Sequence, residues 1–398
     1  MSKDTFLETL LDGAEVEWVA LGEICKPKRG KRLVKKQLQK TGSYAVYQNS
    51  MKPLGYYEES NVTAGTLFIV CAGAAGEIGY SIEPFWAADD VYYFESNELL
   101  NSKFLYHYLL TQRFKILSRV RRASIPRLSK ESFDKIQIPI PCPENPEKSL
   151  AIQAKIVRIL DTFTELTTEL TAELTARKKQ YNYYRDQLLT FEEGEVEWKP
   201  LEEVATFRRG SFPQPYGNAE WYDGEGCMPF VQVADVANFG YTMHNITKQQ
   251  ISVLAQPKSI FVESGSVVVT LQGTIGRVAI TQYDCYVDRT LAIFTSYKVK
   301  LNKKYFAHQL KAKFDKEKEF ARGSTIKTIT KAEFSKFEIP LPPINEQDRI
   351  VAILDKFDTL THSISEGLPR EIELRQKQYE YYRDLLLNFP KPQTEGVA

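Results

Sequence analysis

Ile339-PLPPINEQDRIVAILDKFD, and before it Ile138-PIPCPENPEKSLAIQAKIVRILDTF at a shift of 201, decide how this chain folds. In each stretch prolines close a mixed, turn-rich section and an apolar pattern with spacings of three and four begins. Such spacing lines one face of a helix. The downstream stripe of the first copy is Ile156, Ile159, Phe163, Leu166, Leu170, Leu174, Tyr181, Tyr184 and Leu188. In the second copy it is Ile350, Ile353, Phe357, Leu360, Ile364, Tyr379, Tyr382 and Leu386. A stripe of this kind is a helix–helix seam before it is a ligand site. Two alike in one chain are expected to pack on each other, antiparallel.

Working outward, the whole chain is written twice, and internal repeats are the first thing to settle. Val16-Glu17-Trp18 and Arg29-Gly30 recur as Val196-Glu197-Trp198 and Arg209-Gly210 at a shift of 180. Gly65-TLFIVCAGAAGEIG matches Gly265-SVVVTLQGTIGRVA at 200, and Gln180-YNYYRDQLL matches Gln378-YEYYRDLLL at 198. One order of motifs kept over so long a stretch means two structural copies, expected to be related by a pseudo-twofold. The expected divisions are a segment at 1–15, a globular domain at 16–148 and a helix at 149–191. A second globular domain follows at 192–343, then a helix at 344–389 and a tail at 390–398. The fold class is α+β, with two mixed α/β globular domains alternating with two long helices. The helices differ: Thr164-ELT, Thr168-ELT and Ala172-ELT run in tandem in the first, whereas Gly367-Leu368-Pro369 is expected to kink or interrupt the second.

Composition sets limits. At roughly 150 residues per domain, 398 residues imply two or three domains. The longest uncharged run, Ser60 to Gly76, has seventeen residues and is too short and too polar to span a bilayer. The N-terminal residues are acidic where a signal peptide needs an apolar core, so a cytoplasmic chain is expected. Five dispersed cysteines and four dispersed histidines offer neither a disulfide framework nor a local zinc motif, so no metal site is expected.

Enzyme motifs fail. Cys25-KPKRGKR lacks both the first glycine and the terminal hydroxyl of a phosphate-binding loop. Gly73-AAGEIG lacks dinucleotide spacing, and neither a GxSxG elbow nor an NPPY-type methyltransferase motif is present. No catalytic residue is expected in this chain.

Charge is more informative. The net charge is +1, yet seven basic residues against one acid lie between Trp18 and Lys36, including Lys28, Arg29, Lys31 and Arg32. Seven more, including Arg119, Arg121 and Arg122, lie from Arg113 to Lys130 with no acid. The second copy carries Arg208 and Arg209, then eleven basic residues against three acids from Lys298 to Lys331, among them Arg322 and Lys327. Basic clusters at matching places in a duplicated chain are the footprint of phosphate contacts on double-stranded DNA. Gln48 and Asn49 in the first copy and Gln232 in the second are candidates to read base edges, because amide side chains pair with adenine. The alternative is a duplicated helical scaffold that binds only protein.

The duplicated globular–helix order, the Pro-rich junctions and the Gly265 turn together resemble the specificity subunit of type I restriction–modification systems. The resemblance covers almost the whole chain. It implies two target recognition domains, each reading half of a bipartite, asymmetric site. The helices would set the gap and dock two methyltransferase (modification) subunits. Two restriction/translocase subunits would complete the complex, with S-adenosylmethionine, ATP and Mg on the partners and no cofactor here. The seam and docking residues it implies are Ile156, Phe163, Leu166, Leu170, Leu174, Tyr181 and Tyr184, with Ile350, Phe357, Leu360, Tyr379 and Tyr382. The tetrapeptide run resembles the spacer repeats of one branch of the family.

Overall fold

The computed structural model describes residues 3–192, 194–237, 240–320, 329–363 and 365–391. Its contacts divide the chain into two compact units, Met1–Glu169 with Glu373–Ala398, and Leu170–Ile372. Each unit combines one globular module with stretches of both long helical regions.

The first module opens with helix α1 (Lys3–Leu11), strand β1 (Val16–Ala20), helix α2 (Leu21–Ile24) and strand β2 (Lys28–Arg29). Strands β3 (Tyr44–Tyr47), β4 (Gly55–Tyr57), β5 (Thr66–Val70), β6 (Ile78–Ser81), β7 (Phe85–Ala87) and β8 (Val91–Phe94) follow. Helices α3 (Ser102–Thr111), α4 (Arg113–Ser118) and α5 (Glu131–Asp134) then lead to β9 (Gln137–Pro141). The strands form a four-stranded sheet, β2-β8-β5-β6, a three-stranded sheet, β4-β3-β7, and the pair β1-β9. β5 reads TLFIV and is buried on both faces, which is why its sequence is a continuous apolar run. Two prolines of the first junction lie inside β9, with Trp18 opposite Pro139 and Val16 opposite Pro141. A two-stranded edge tolerates the missing amides.

The long helix α6 spans Pro146–Leu188, so it starts before the expected 149. The Asn145 side chain accepts the Lys148 amide, and Pro146 follows where its missing N–H costs nothing.

The second module repeats the plan with β10 (Glu197–Pro200), α7 (Leu201–Val204), β11 (Ala205–Arg209), β12 (Met228–Val231), β13 (Gln249–Ile251) and β14 (Ile260–Val262). It continues with β15 (Val267–Thr270), β16 (Val278–Ile280), β17 (Cys285–Val287), β18 (Leu291–Tyr297), α8 (Lys303–Phe320), α9 (Lys331–Ser335) and β19 (Glu338–Leu341). Its sheets are β11-β18-β15-β16, β13-β12-β17-β14 and β10-β19. β12 runs parallel to β17, as β3 does to β7. β14 fills the place where the first module has only the bridge from Val62 to Phe85. The α+β duplication read from the sequence is the architecture of the chain.

The last helical region is two helices, α10 (Ile344–His362) and α11 (Gly367–Leu386). The interruption precedes Gly367, and Pro369 sits in the first turn of α11, where no intrahelical amide partner is lost.

Both helical seams are built inside the units. In the first, Ile156 and Leu160 are fully buried with Leu386 and Phe389, and Phe163 stacks on Tyr382 at 5.1 Å and 13°. In the second, Ile350 and Leu354 pack with Tyr181 and Leu189. Tyr181 meets His362 while Tyr184, one turn on, meets Phe357, more than a turn back, so these segments run antiparallel. Each fully buried aliphatic side chain here contributes about 1.5–3 kcal/mol. Leu166, Leu170, Leu174 and Leu360 are only half-buried, and Tyr184 keeps 39% of its surface exposed despite its stack. Ile364 of the stripe lies outside the described residues. Among the described residues no helix is long and apolar enough to cross a membrane.

Candidate nucleic-acid interface

In the first module, three stretches far apart in sequence meet at one end of the sheets. The loop after β3 carries Gln48 and Asn49, and the Asn49 carbonyl accepts the Ala74 amide at 2.9 Å. The adjacent Gly73 amide donates to the Pro126 carbonyl at 3.2 Å. Pro126 belongs to a hairpin-like loop closed by two reciprocal bonds, Arg121 N–H to Arg127 O at 2.8 Å and Arg127 N–H to Arg121 O at 3.1 Å. The amide candidates and the basic run of 119–127 are therefore neighbours.

Backbone bonds bring the N-terminal basic run to the same region. The Lys31 amide donates to the Ala87 carbonyl, and the Ala88 amide to the Tyr47 carbonyl, one residue before Gln48. A methyl group on Gly30 would stand 2.2 Å from the Ala88 carbonyl oxygen, so only glycine fits there.

The basic candidates are not equivalent. Lys28 is paired with Glu95 at 2.6 Å, and the Arg29 guanidinium donates to the Asp89 carbonyl at 2.7 Å. Arg119 donates to the Ser132 carbonyl. These three are tied into the protein itself. Lys31, Arg32, Arg121 and Arg122 are exposed, and among the described residues no ion pair is formed by their side chains. They are the side chains free to meet a polyanion.

The second module repeats the arrangement. The Ser211 amide donates to the Val287 carbonyl and the Asp288 amide to the Val231 carbonyl, one residue before Gln232. Gln48 and Gln232 thus stand at the same place, each directly after the strand that pairs in parallel with β7 or β17. A methyl group on Gly210 would lie 2.1 Å from the Val287 oxygen, matching Gly30. Arg208 is exposed, whereas Arg209 donates to the Ile329 carbonyl at 3.2 Å. Arg322 and Lys327 lie outside the described residues. The equivalence of the glutamines escaped the sequence comparison because their shift, 184, falls between the 180 of Arg29-Gly30 and the 200 of the glycine turn.

Each module holds a buried histidine at a matching place in its helical stretch, and His107 joins the first module to the helices. His107 is bonded to the Tyr379 hydroxyl at 2.9 Å and contacts Asp161 at 3.4 Å, while Lys103 pairs with Asp161 at 2.8 Å. Burial lowers the His107 pKa against the pull of Asp161. Burial pushes the Asp161 carboxyl up, but its bonds from His107 and Lys103 outweigh this and hold it below the usual range. His308, its counterpart, is wholly buried against the Tyr241 ring at 4.2 Å. Neither of its ring nitrogens has a hydrogen-bond partner among the described residues. Burial drives its pKa down to about 3. Nothing in the sequence distinguished these two histidines.

Among the described residues no cluster of His, Cys, Asp or Glu could hold a metal ion. Both modules place a glutamine directly after the strand that runs parallel to β7 or β17, with exposed Lys31, Arg32, Arg121 and Arg122 in the first module and exposed Arg208 in the second. A type I restriction modification DNA specificity domain matches residues 14–177 and again 193–374. A type I restriction enzyme specificity subunit of Escherichia coli is 38% identical over 99% of both chains. A second from Escherichia coli, that of EcoprrI, is 30% identical over 92% of this chain and 93% of its own. The solved S subunit of a type I restriction–modification system from M. genitalium has the same fold, with TM-score 0.61, 15% identity and coverage of 96% of this chain and 98% of that one. The chain belongs to the family of type I restriction–modification specificity subunits, and its role is DNA recognition.

Proposed function

We infer that each globular module reads one half of a bipartite, asymmetric duplex site, and that the helical seams fix the gap between the halves. The observation that carries this reading is the duplicated placement of Gln48 and Gln232, each at the end of a parallel strand beside a glycine closed on a carbonyl. A glutamine amide can both donate to and accept from an adenine edge, while exposed Arg and Lys neutralise phosphates. The helices dock two modification subunits, which carry S-adenosylmethionine and methylate an adenine flipped out of the duplex. Two restriction/translocase subunits supply ATP- and Mg-dependent chemistry. This chain supplies no catalytic residue and works in the cytoplasm.

The test is selection from a random duplex library using the full chain co-expressed with its modification partner. Two short words at a fixed gap are expected. One continuous word would mean that only one module reads DNA or that the duplication has another use, and no enrichment by a complex that still assembles would overturn the reading in favour of a protein-binding scaffold. The gap has its own arithmetic. Removing Thr168–Thr171 shortens a helix by about 6 Å and turns it by about 40°. One base pair advances about 3.4 Å and turns about 35°. The deletion is expected to shorten the unread gap by about one base pair and leave both words unchanged; altered words would refute the ruler.

A further inference from the structure

The loop from Arg121 to Arg127 has a feature that phosphate binding leaves unused. Residues 121–125 are all exposed, and at their end Ile125 presents 53% of its surface. A loop built only to hold arginines against phosphates gains nothing from an exposed β-branched apolar side chain, which costs free energy in water.

The loop is also held firmly. Its two ends are bonded to each other through Arg121 and Arg127, and its base to the glycine turn through Gly73 N–H to Pro126 O. The Leu128 amide donates to the Cys71 carbonyl at 2.9 Å, just beyond Arg127. The same turn holds Asn49 through the Ala74 amide. Ile125 therefore belongs to the loop cluster that carries Gln48 and Asn49. Its own χ1 is restricted by branching at Cβ. Along the chain the charge near it is of one sign, since no acid occurs between Glu98 and Glu131; in space Glu131 feels the charge of Arg121. An isoleucine recurs in sequence at Ile326, at the shift of 201 that relates the two copies here.

The geometry points to Ile125 as a specificity-determining residue of the first module that packs against the C5-methyl group of a thymine in the major groove. The inference rests on the DNA-reading function proposed above and names one chemical group that the reading detects. The occupant follows from charge complementarity: exposed Arg121 and Arg122 precede an apolar tip and exposed Arg127 follows it, and the polyanion that offers apolar groups between its phosphates is duplex DNA. Among base edges in the major groove, thymine alone presents a methyl group. Amides at Gln48 and Asn49 suit the adenine partner of that thymine, so one loop cluster covers both members of an A·T pair.

Uracil tests this, because it pairs as thymine does and lacks only the methyl. With the full chain and the modification subunits it assembles with, each thymine of the selected site is replaced in turn by uracil and binding is measured. At one position of one half-word, uracil is expected to weaken binding about fourfold. Ile125→Ala is expected to weaken binding to the thymine site by a similar factor and to erase the uracil effect at that position alone. The variant's melting temperature should match the parent's, since the side chain is exposed. A uracil effect that persists in Ile125→Ala, or no uracil effect in either half-word, overturns the assignment while leaving bipartite reading intact. Weakened binding by Ile125→Ala, when the parent itself binds thymine and uracil equally, would mean that the side chain wedges between bases, which also overturns it. Failure to select any word would instead overturn the function on which the assignment rests.

Discussion

His308 should make the second unit sensitive to mild acid. Its imidazole is wholly buried, its ring nitrogens lack partners among the described residues, and its folded pKa is about 3 against an ordinary value of 6.5. Burial is the main cause; the nearby Asp358 pulls the other way, and Lys304 and Arg185 add to the depression. A histidine with a depressed folded pKa lets the unfolded state bind a proton that the native state refuses. Its contribution to stability is therefore fully present above pH 6.5 and is lost as pH falls from there towards 3. Between pH 7.5 and pH 5 the loss is about 2 kcal/mol, a change of about thirtyfold in the local opening constant. Two compact units make one melting temperature hard to interpret. Hydrogen exchange on peptides from 303–317, corrected for intrinsic rates, reads the local opening directly. His308→Leu removes the titrating group together with two ring nitrogens that have no hydrogen-bond partner among the described residues, and should leave stability near neutral pH almost unchanged. The parent should lose about thirtyfold more protection than the variant over this pH range. Equal losses in the two proteins would refute the reasoning.

Other expectations concern backbone fit, charge and packing. Gly210→Ala drives a methyl group onto the Val287 carbonyl, and because backbone cannot yield as a side-chain tip does, a cost of about 1–3 kcal/mol is expected; faster hydrogen exchange on peptides covering β11 and β17 should register it. Replacing both Arg121 and Arg122 with Gln should make the log–log salt dependence of DNA binding shallower by about 0.9 for each phosphate left without its cation. Arg119→Gln, which breaks the bond to the Ser132 carbonyl, should lower stability and leave that slope unchanged, so a flattened slope would contradict the placement of Arg119. Leu354→Ala opens a cavity in the second seam and should cost about 2–5 kcal/mol, measurable as faster exchange in α10.

Much of this architecture was legible because it depends on local periodicity. The spacing of Ile156, Phe163, Ile350 and Phe357 announces helices, and repetition of Arg29-Gly30 and of the glycine turns announces two modules. The interface was legible only as a set of residue types. That Gln48 lies beside Arg121 depends on one bond from Asn49 to Ala74 and another from Gly73 to Pro126, pairings of loops with no sequence period. That Arg29 and Arg209 commit donors to internal carbonyls is likewise invisible in a charge count. The interruption of the last helix falls just before Gly367 and Pro369, because a proline in a first turn starts a helix more readily than it breaks one.

The partition of the chain has a consequence for its synthesis. The first unit, begun by the N-terminal residues, is finished by Glu373–Ala398. The Trp18 indole donates to the Pro390 carbonyl at 2.8 Å, and Phe389 packs edge-on against Phe104. The second unit is one uninterrupted stretch. On a ribosome, which delivers the chain from its N-terminus, the second-written unit can close while the first still waits for its last helix. A stop codon falling just before Glu373 would therefore injure the first unit and spare the second, which is encoded next to the lesion.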